Sequence, residues 1–185
     1  MKATSKKSIV RKSVVRESDD KLNAQAQDEL NEQAHMEALK KLRVLIRAAQ
    51  RHSAWIEKQC GVSGAQLWVM QELGETPGLR VGEIADRLAI HPTTASNLVD
   101  ALRKRGYVTK TRDLDDQRVV KLQLSEQGQA VLAKAPTPAR GLLPEALRKL
   151  DQDKLLELNR GLQAVLEIIG HVDENASLQP LPFTM

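Results

Sequence analysis

The chain has 185 residues, 41% of them hydrophobic and only 2% aromatic, which fits one domain with or without tails. No apolar run approaches the roughly 18 residues of a membrane span, and no apolar h-region follows the charged N-terminus, so we expect neither a membrane partner nor a secretory signal. One Cys excludes an internal disulfide framework, and the four His show no zinc-ligand spacing. We therefore expect a cytoplasmic protein without cofactor or metal.

Positive charge is concentrated at the N-terminus. The net charge is +4, from 28 basic and 24 acidic residues, and residues 1–16 hold six of the bases and no acid. The other 22 bases face 24 acids, so the rest of the chain carries −2. A five-residue repeat here fits neither a helix nor a strand, so residues 1–17 are interpreted as a disordered basic tail. This tail either solubilises the chain or adds phosphate contacts to DNA binding.

Each flank of the chain contains a predicted helix with heptad-like spacing. The N-terminal flank, residues 18–62, has its strongest helix over 36–59, and the C-terminal flank, residues 129–172, ends in a helix capped by Asp151. The repeating positions are Leu39, Leu42, Ile46, Ala49, Ser53 and Ile56 in the first and Leu155, Leu158, Leu162, Val165 and Ile169 in the second. Such seams predict a homodimer with a helical dimerisation body; the alternative is that both helices pack on their own chain's core.

Prolines interrupt the C-terminal flank. Pro136, Pro138 and Pro144 follow Ala135, and a proline inside a helix costs roughly 3 kcal/mol. We therefore expect a break near 135–139 and a helix that resumes to about 149. Residues 173–185 are interpreted as a flexible C-terminal tail.

The middle of the chain, residues 63–128, predicts a winged helix-turn-helix. Ser63 and Gln66 form a capping box, a short helix covers about 81–88, and Pro92 opens a helix over about 92–105. Two β-rich runs around an acidic tip then predict a hairpin. The fold class is mainly α with a small β-hairpin wing.

The helix from Pro92 has a polar face suited to double-stranded DNA. At 100° per residue, Thr93, Asn97, Asp100 and Lys104 lie opposite the apolar stripe, flanked by Ser96 and Arg103. Residues 80–121 carry nine bases and six acids, a local charge of +3. Short hydrogen-bonding side chains on such a helix can reach base edges in the major groove. The alternatives are a solvated helix face and a winged-helix module that binds protein without specific DNA binding.

At this point the sequence resembles the MarR family of bacterial transcription regulators. The similarity is carried by the helix over residues 81–88, by residues 94–108, and by the hairpin over 113–124 with its following Ser-Glu-Gln-Gly. Together with the flanking helices it covers about residues 35–172. The resemblance implies an obligate homodimer that binds a pseudo-palindromic operator, with repression favoured over activation.

The resemblance also implies roles for individual residues. Thr93, Thr94, Ser96 and Asn97 take the major-groove positions, Arg118 matches a wing arginine that enters the minor groove, and Asp116 matches the acid that orients this arginine. The complete set of expected DNA-binding residues is Pro92, Thr93, Thr94, Ser96, Asn97, Arg103, Lys104, Arg112, Asp116 and Arg118. Asp116 has the alternative of simply forming the turn.

One candidate sensor follows from the same resemblance, because many similar proteins release DNA when a phenol or aromatic acid binds, and a second follows from the position of the one cysteine. The residues expected to bind such a small aromatic effector are Arg47, Arg51, His52, Trp55 and Trp68. Cys60, near the end of the first helix, is the candidate for redox control. The alternatives are tryptophans in the core, solvated arginines and an inert cysteine.

An enzyme is not expected from this sequence. It contains no nucleophile beside a base and no convergent carboxylates, and its four histidines occur in unrelated contexts.

Overall fold

A computed structural model describes residues 4–112, 119–170 and 173–185. The described helices and strands follow one another in the order expected for a winged helix-turn-helix with helical flanks. They are α1 (Thr4–Cys60), α2 (Gly64–Glu75), α3 (Val81–Leu88), α4 (Pro92–Lys104), β1 (Val108–Arg112), β2 (Val120–Leu124), α5 (Glu126–Ala133), α6 (Leu142–Lys149), α7 (Gln152–Ile169) and two 3₁₀ helices (Glu174–Leu178 and Pro182–Thr184).

Helix α1 is longer than the sequence predicted. It runs without interruption from Thr4, whereas we expected residues 1–17 to be disordered. The physical reason is that no glycine or proline occurs before Gly61, so no helix-breaking residue separates the basic repeat from the heptad-like region. The chain divides into two compact units, Met1–Ile46 and Arg47–Met185.

The predicted seam of α1 is exposed in one unit and buried in the other. In the first unit, Leu42 and Ile46 are about half exposed, at 46% and 47%. In the second unit, Ala49, Ser53 and Ile56 are buried.

The core of the second unit is built by α2, α3, α4 and the hairpin. Helix α2 begins at the predicted capping box, in which Ser63 Oγ accepts from the Gln66 backbone N–H at 3.3 Å and Gln66 Oε1 accepts from that of Ser63 at 3.1 Å. The largest fully buried side chains are those of Ile56, Leu67, Met70, Leu73, Ile84, Leu102 and Leu122. They come from α1 to α4 and from β2, so one core holds α4 against its neighbouring helices and the hairpin.

The wing is an antiparallel pair in which Val108 lies opposite Leu124 and Arg112 opposite Val120. The α2–α3 connection also bonds to β2: Gly78 N–H donates to Leu122 O at 2.8 Å, and Leu122 N–H donates to Leu79 O at 2.9 Å. These bonds fasten the wing to the helical core. The tip, residues 113–118 with Asp116 and Arg118, lies outside the described residues.

The predicted break in the C-terminal flank is confirmed, because α5 ends at Ala133 and α6 begins at Leu142. The cap of α7 is confirmed as well: the Asp151 side chain accepts from the Lys154 backbone N–H at 2.9 Å. The expectation of a flexible tail over 173–185 differs from the structure, which forms two short 3₁₀ helices there. No helix in the described ranges is both long enough and apolar enough to cross a bilayer.

Candidate nucleic-acid interface and adjacent cavity

Helix α4 is anchored by its cap and by its apolar side. His91 is the N-cap residue, and its Nδ1 accepts from the Thr93 backbone N–H at 3.2 Å, while Pro92 takes the first helical position. The side chains that face the core are Ala95, Leu98, Val99 and Leu102, all buried. Burial of this stripe turns the opposite face of α4 away from the core.

The outward face of α4 carries most of the predicted DNA-binding residues. Those exposed are Pro92, Thr93, Asn97, Arg103 and Lys104. Ser96 is half-buried at the edge of this face. Thr94 is buried, because it lies 100° around the helix from Thr93, toward the apolar stripe, and its DNA contact stays a prediction.

The acidic residue on this face is neutralised by its neighbours. Asp100 Oδ1 accepts from Lys110 Nζ at 2.9 Å and lies 3.6 Å from Arg103 Nε. The hydrogen bond from Lys110 and the nearby positive charges hold the pKa of the Asp100 carboxyl below its usual value. A phosphate approaching α4 therefore meets a paired carboxylate.

Arg105, just past the end of α4, is engaged within the protein. Its Nη1 donates to Gly61 O at 2.6 Å, and its guanidinium lies 4.9 Å from the centre of the Tyr107 ring. This side chain ties the end of α4 to the turn after α1. In contrast, Arg112 at the end of β1 is exposed and extends the basic surface toward the wing tip.

A cavity of about 420 Å³ lies beside the helix-turn-helix, inside the second unit. Its walls come from the last turns of α1, from α2, from the α3–α4 turn, from α6 and from residues 177–184. The residues that line it include His52, Trp68, Ile90, Arg140, Leu181 and Phe183. Two of the five predicted effector residues, His52 and Trp68, therefore line one cavity.

The other three predicted effector residues do not line it. Arg47, Arg51 and Trp55 recur at intervals of four, so they share one stripe of α1, and all three are exposed. The cavity is lined instead by residues on the other side of α1, such as His52 and Ile56. The Trp55 ring packs edge-on against the ring of the lining residue His52, with 5.8 Å between the ring centres.

Two residues of the cavity wall, Trp68 and Arg140, belong to an ion cluster around Glu72. This buried carboxylate accepts from Trp68 Nε1 at 3.0 Å, from Arg87 Nη1 at 3.2 Å and from Arg140 Nε at 2.7 Å. Burial opposes the charged form, but the hydrogen bonds from Arg140, Trp68 and Arg87 outweigh it and hold the pKa of Glu72 below its usual 4.5. Arg140 also donates to Glu75, so its guanidinium has two carboxylate partners.

Cys60 lies at the last position of α1 and is half-buried. Burial raises the pKa of its thiol above the usual 9.0, which reduces the fraction of reactive thiolate. The local environment therefore gives the redox hypothesis no support.

Sequence reasoning missed the contribution of the C-terminal segment, defined here as residues 173–185. Leu181 and Phe183 line the cavity, and Phe183 is the chain's one phenylalanine. In a chain with so few aromatic residues, the single phenylalanine near the C-terminus could have indicated that this segment packs against the protein. Among the residues that the structure describes, no group of three or more His, Cys, Asp or Glu side chains is placed to hold a metal ion.

Comparison with known proteins places this geometry in a family. Residues 60–119 match a model described as the MarR family. The HTH-type transcriptional repressor MdtR of Bacillus subtilis is 27% identical over 124 residues, which is 67% of this chain and 79% of that protein.

Two solved structures are also similar. A probable transcriptional regulator from Pseudomonas aeruginosa is 30% identical, with 66% of this chain and 93% of that one covered and a TM-score of 0.46. A MepR-like protein complexed with pseudoligands is 22% identical, covers 73% of this chain and 96% of that one, and has a TM-score of 0.51. The family model matched over residues 60–119 and the sequence similarity to MdtR agree with the described fold: the chain belongs to the MarR family of transcriptional regulators.

Proposed function

We propose that the protein represses transcription in the bacterial cytoplasm by binding a pseudo-palindromic operator as a homodimer. The observation that carries the proposal is the outward face of α4. There, Thr93 and Asn97 are exposed near the start of the helix, where base edges are read, and Lys104 is exposed at its end. The family's transcriptional role and the repressor MdtR support the same function.

The wing completes the proposed interface. Arg118 inserts into the minor groove next to the site of α4, and Asp116 orients it; Arg112 contacts the backbone. The support is the exposed position of Arg112 at the end of β1, directly before the tip. The backbone contact fixes the protein's register on the duplex, and the groove contacts read its sequence.

The homodimer rests on apolar surface that the single chain leaves exposed. On α7, Leu162 and Val165 are 46% and 52% exposed, and Ile169 is 61% exposed. Large apolar side chains repeated along one face of a helix need a cover, and a second copy supplies one with two-fold symmetry. Two-fold symmetry in the protein matches a pseudo-palindromic site.

The release signal that the geometry supports best is a small aromatic ligand in the cavity beside α4. His52 and Trp68 line it, and so do Ala89 and Ile90 of the helix-turn-helix turn. A ligand that prefers one arrangement of this turn shifts the population toward it and so changes DNA affinity. The alternative signal, oxidation of Cys60, gains no support from its environment, because the thiol is half-buried and burial raises its pKa.

The proposal is tested by comparing Asn97→Ala with Lys104→Ala on an operator identified by footprinting. Asn97→Ala should cost about 1–3 kcal/mol on the operator while leaving random duplex unaffected, because it removes a base contact. Lys104→Ala should weaken binding to both duplexes and lower the salt slope by about one unit. Fluorescence anisotropy across a salt series measures both quantities.

A contrary result would favour the protein-interaction module. If the wild-type chain has no preferred duplex at any salt concentration, or if Asn97→Ala and Lys104→Ala change operator and random binding equally, α4 does not read sequence.

A further inference from the structure

The C-terminal segment forms a wall of the cavity. Leu181, Phe183 and Thr184 line it, and the last two are half-buried. Thr184 lies against α2: a Cβ placed on Gly64 would be 3.5 Å from Thr184 Cβ. The segment has internal order of its own, since Thr184 N–H donates to Leu181 O at 2.8 Å. It therefore packs on the cavity as a formed element.

The same segment is bonded to the start of α4. The His91 backbone N–H donates to Leu178 O at 2.8 Å, and His91 is the N-cap residue of α4. The two residues before it, Ala89 and Ile90, line the cavity. The same segment thus lines the cavity at one end and is hydrogen-bonded to the helix-turn-helix at the other.

The chemistry of the walls selects an uncharged ligand. Among the described lining residues, Arg140 is the one Lys or Arg, and its guanidinium already donates to the carboxylates of Glu72 and Glu75. A ligand carboxylate would have to compete with both of these partners. Most of the remaining wall is apolar, as at Ile56, Leu142 and Leu147. A carboxylate placed there would lose its hydration without gaining a free cation.

We propose that the C-terminal segment is an internal gate of the effector cavity. An uncharged aromatic ligand enters by displacing Phe183 and Thr184, and the displacement withdraws Leu178 O from the His91 amide at the start of α4. The proposal rests on the proposed function in one respect, that this cavity is the effector site, and it adds the ligand class and the moving part.

The direct test uses 2-naphthol as an uncharged probe and 2-naphthoate as its charged counterpart. Amide hydrogen exchange at His91, followed by NMR on the full chain, should accelerate at least about tenfold when 2-naphthol saturates the protein, because the amide loses its acceptor. Calorimetry should show 2-naphthol binding at least about tenfold tighter than 2-naphthoate. Unchanged exchange at saturation, or tighter binding of 2-naphthoate, would overturn the proposal.

Variants separate a gate from a fixed part of the binding site. Phe183→Ala weakens the closed state, so 2-naphthol should bind at least about threefold tighter, because apparent affinity scales with the open fraction. Met185→Ala, an apolar deletion at an exposed position of the same segment, should leave the affinity unchanged. Deletion of residues 173–185 should make His91 exchange fast with and without probe. Weaker probe binding by the deletion variant would contradict a gate.

Failure of the gate and failure of the proposed function give different results. If the protein binds an operator but the exchange rate of the His91 amide does not change with 2-naphthol, the gate is wrong and the proposed function stands. If 2-naphthol changes the exchange rate of the His91 amide but the protein prefers no DNA sequence, the gate stands and the proposed function is wrong.

Discussion

Glu72 is a carboxylate whose burial is compensated by donors from three parts of the chain. Its side chain is 7% exposed, and it accepts from Trp68 on the same helix, from Arg87 on α3 and from Arg140 in the α5–α6 connection. A buried charge without partners is strongly unfavourable, so each donor offsets part of the cost of burial. One carboxylate thereby joins the helix-turn-helix to the C-terminal flank.

Stability should fall in acid because of this carboxylate. Its folded pKa is held below 4.5, the usual value, so its contribution is complete above about pH 4.5 and is lost as the pH falls through the folded pKa. Glu72→Gln should cost about 1–3 kcal/mol at neutral pH and should flatten the acid dependence. Urea unfolding between about pH 3 and pH 7 measures both effects.

The matched control is Glu57→Gln, which removes an exposed carboxylate from α1. Acid dependence should remain in this variant. If Glu72→Gln loses stability as steeply in acid as the wild type does, the Glu72 cluster is not the source.

The side chains that could be identified from sequence are those whose position depends on their own helix. The 100° rotation alone predicted Thr93 and Asn97 on the outward face of α4, and both are exposed. Glu72 was missed because its role depends on Arg140, which is 68 residues away in the chain. The burial of Thr94 was not foreseen, because the resemblance carries residue types and not the exact rotation of a helix.

At the scale of elements, the start of α5 packs so closely on the residue before β1 that Gly128 has no space for a side chain. Ser125 caps α5 by accepting from the Gly128 backbone N–H at 3.0 Å, and its own N–H donates to Tyr107 O at 3.0 Å. A Cβ at Gly128 would lie 2.2 Å from that same Tyr107 oxygen. Since the obstacle is backbone, relief requires the strand or the helix to move.

Gly128→Ala should therefore destabilise the chain by about 1–3 kcal/mol, despite the better helix propensity of alanine. The control is Gly82→Ala on α3, where no atom beyond the adjoining backbone of the same helix lies within 4 Å of the added Cβ, so it should be neutral or stabilising by up to about 1 kcal/mol. Urea denaturation of the two variants gives the comparison. Equal stability of the two would show that the corner adapts.

Elements specified by local signals were predictable, and elements specified by distant contacts were not. Ser63 and Asp151 cap α2 and α7 as the sequence indicated. The C-terminal 3₁₀ helices were not foreseen, because they pack on a cavity whose walls come from α1, α2 and α6. No local pattern in residues 173–185 reports those distant surfaces.

For the whole molecule, the notable feature is an apolar face of α7 that stays exposed in the single chain. Leu158, Leu162, Val165 and Ile169 follow the heptad-like spacing, and each is exposed. The same spacing appears on α1, where Leu42 and Ile46 are exposed. Burying this surface in a second copy lowers the free energy by roughly 25 cal/mol for each Å² removed from water.

A charge placed on this face should dissociate the dimer. Leu162→Glu buries an unpaired carboxylate in the proposed interface, so it should give monomers at micromolar concentration, at a cost of several kcal/mol. Ala164→Glu adds the same charge 200° around α7, on the opposite side, and should remain dimeric. Sedimentation velocity distinguishes the species. A wild-type monomer, or dimers of both variants, would exclude α7 as the contact.

The packing of Thr184 against Gly64 also matters for anyone who purifies the protein. A histidine tag or fluorescent fusion added after Met185 would follow directly on the cavity wall and would disturb the packing of Phe183 and Thr184. Recombinant versions for screening small molecules should carry their fusion partner at the amino terminus. With a tag at the other end, a binding signal would include the effect of the tag on the cavity.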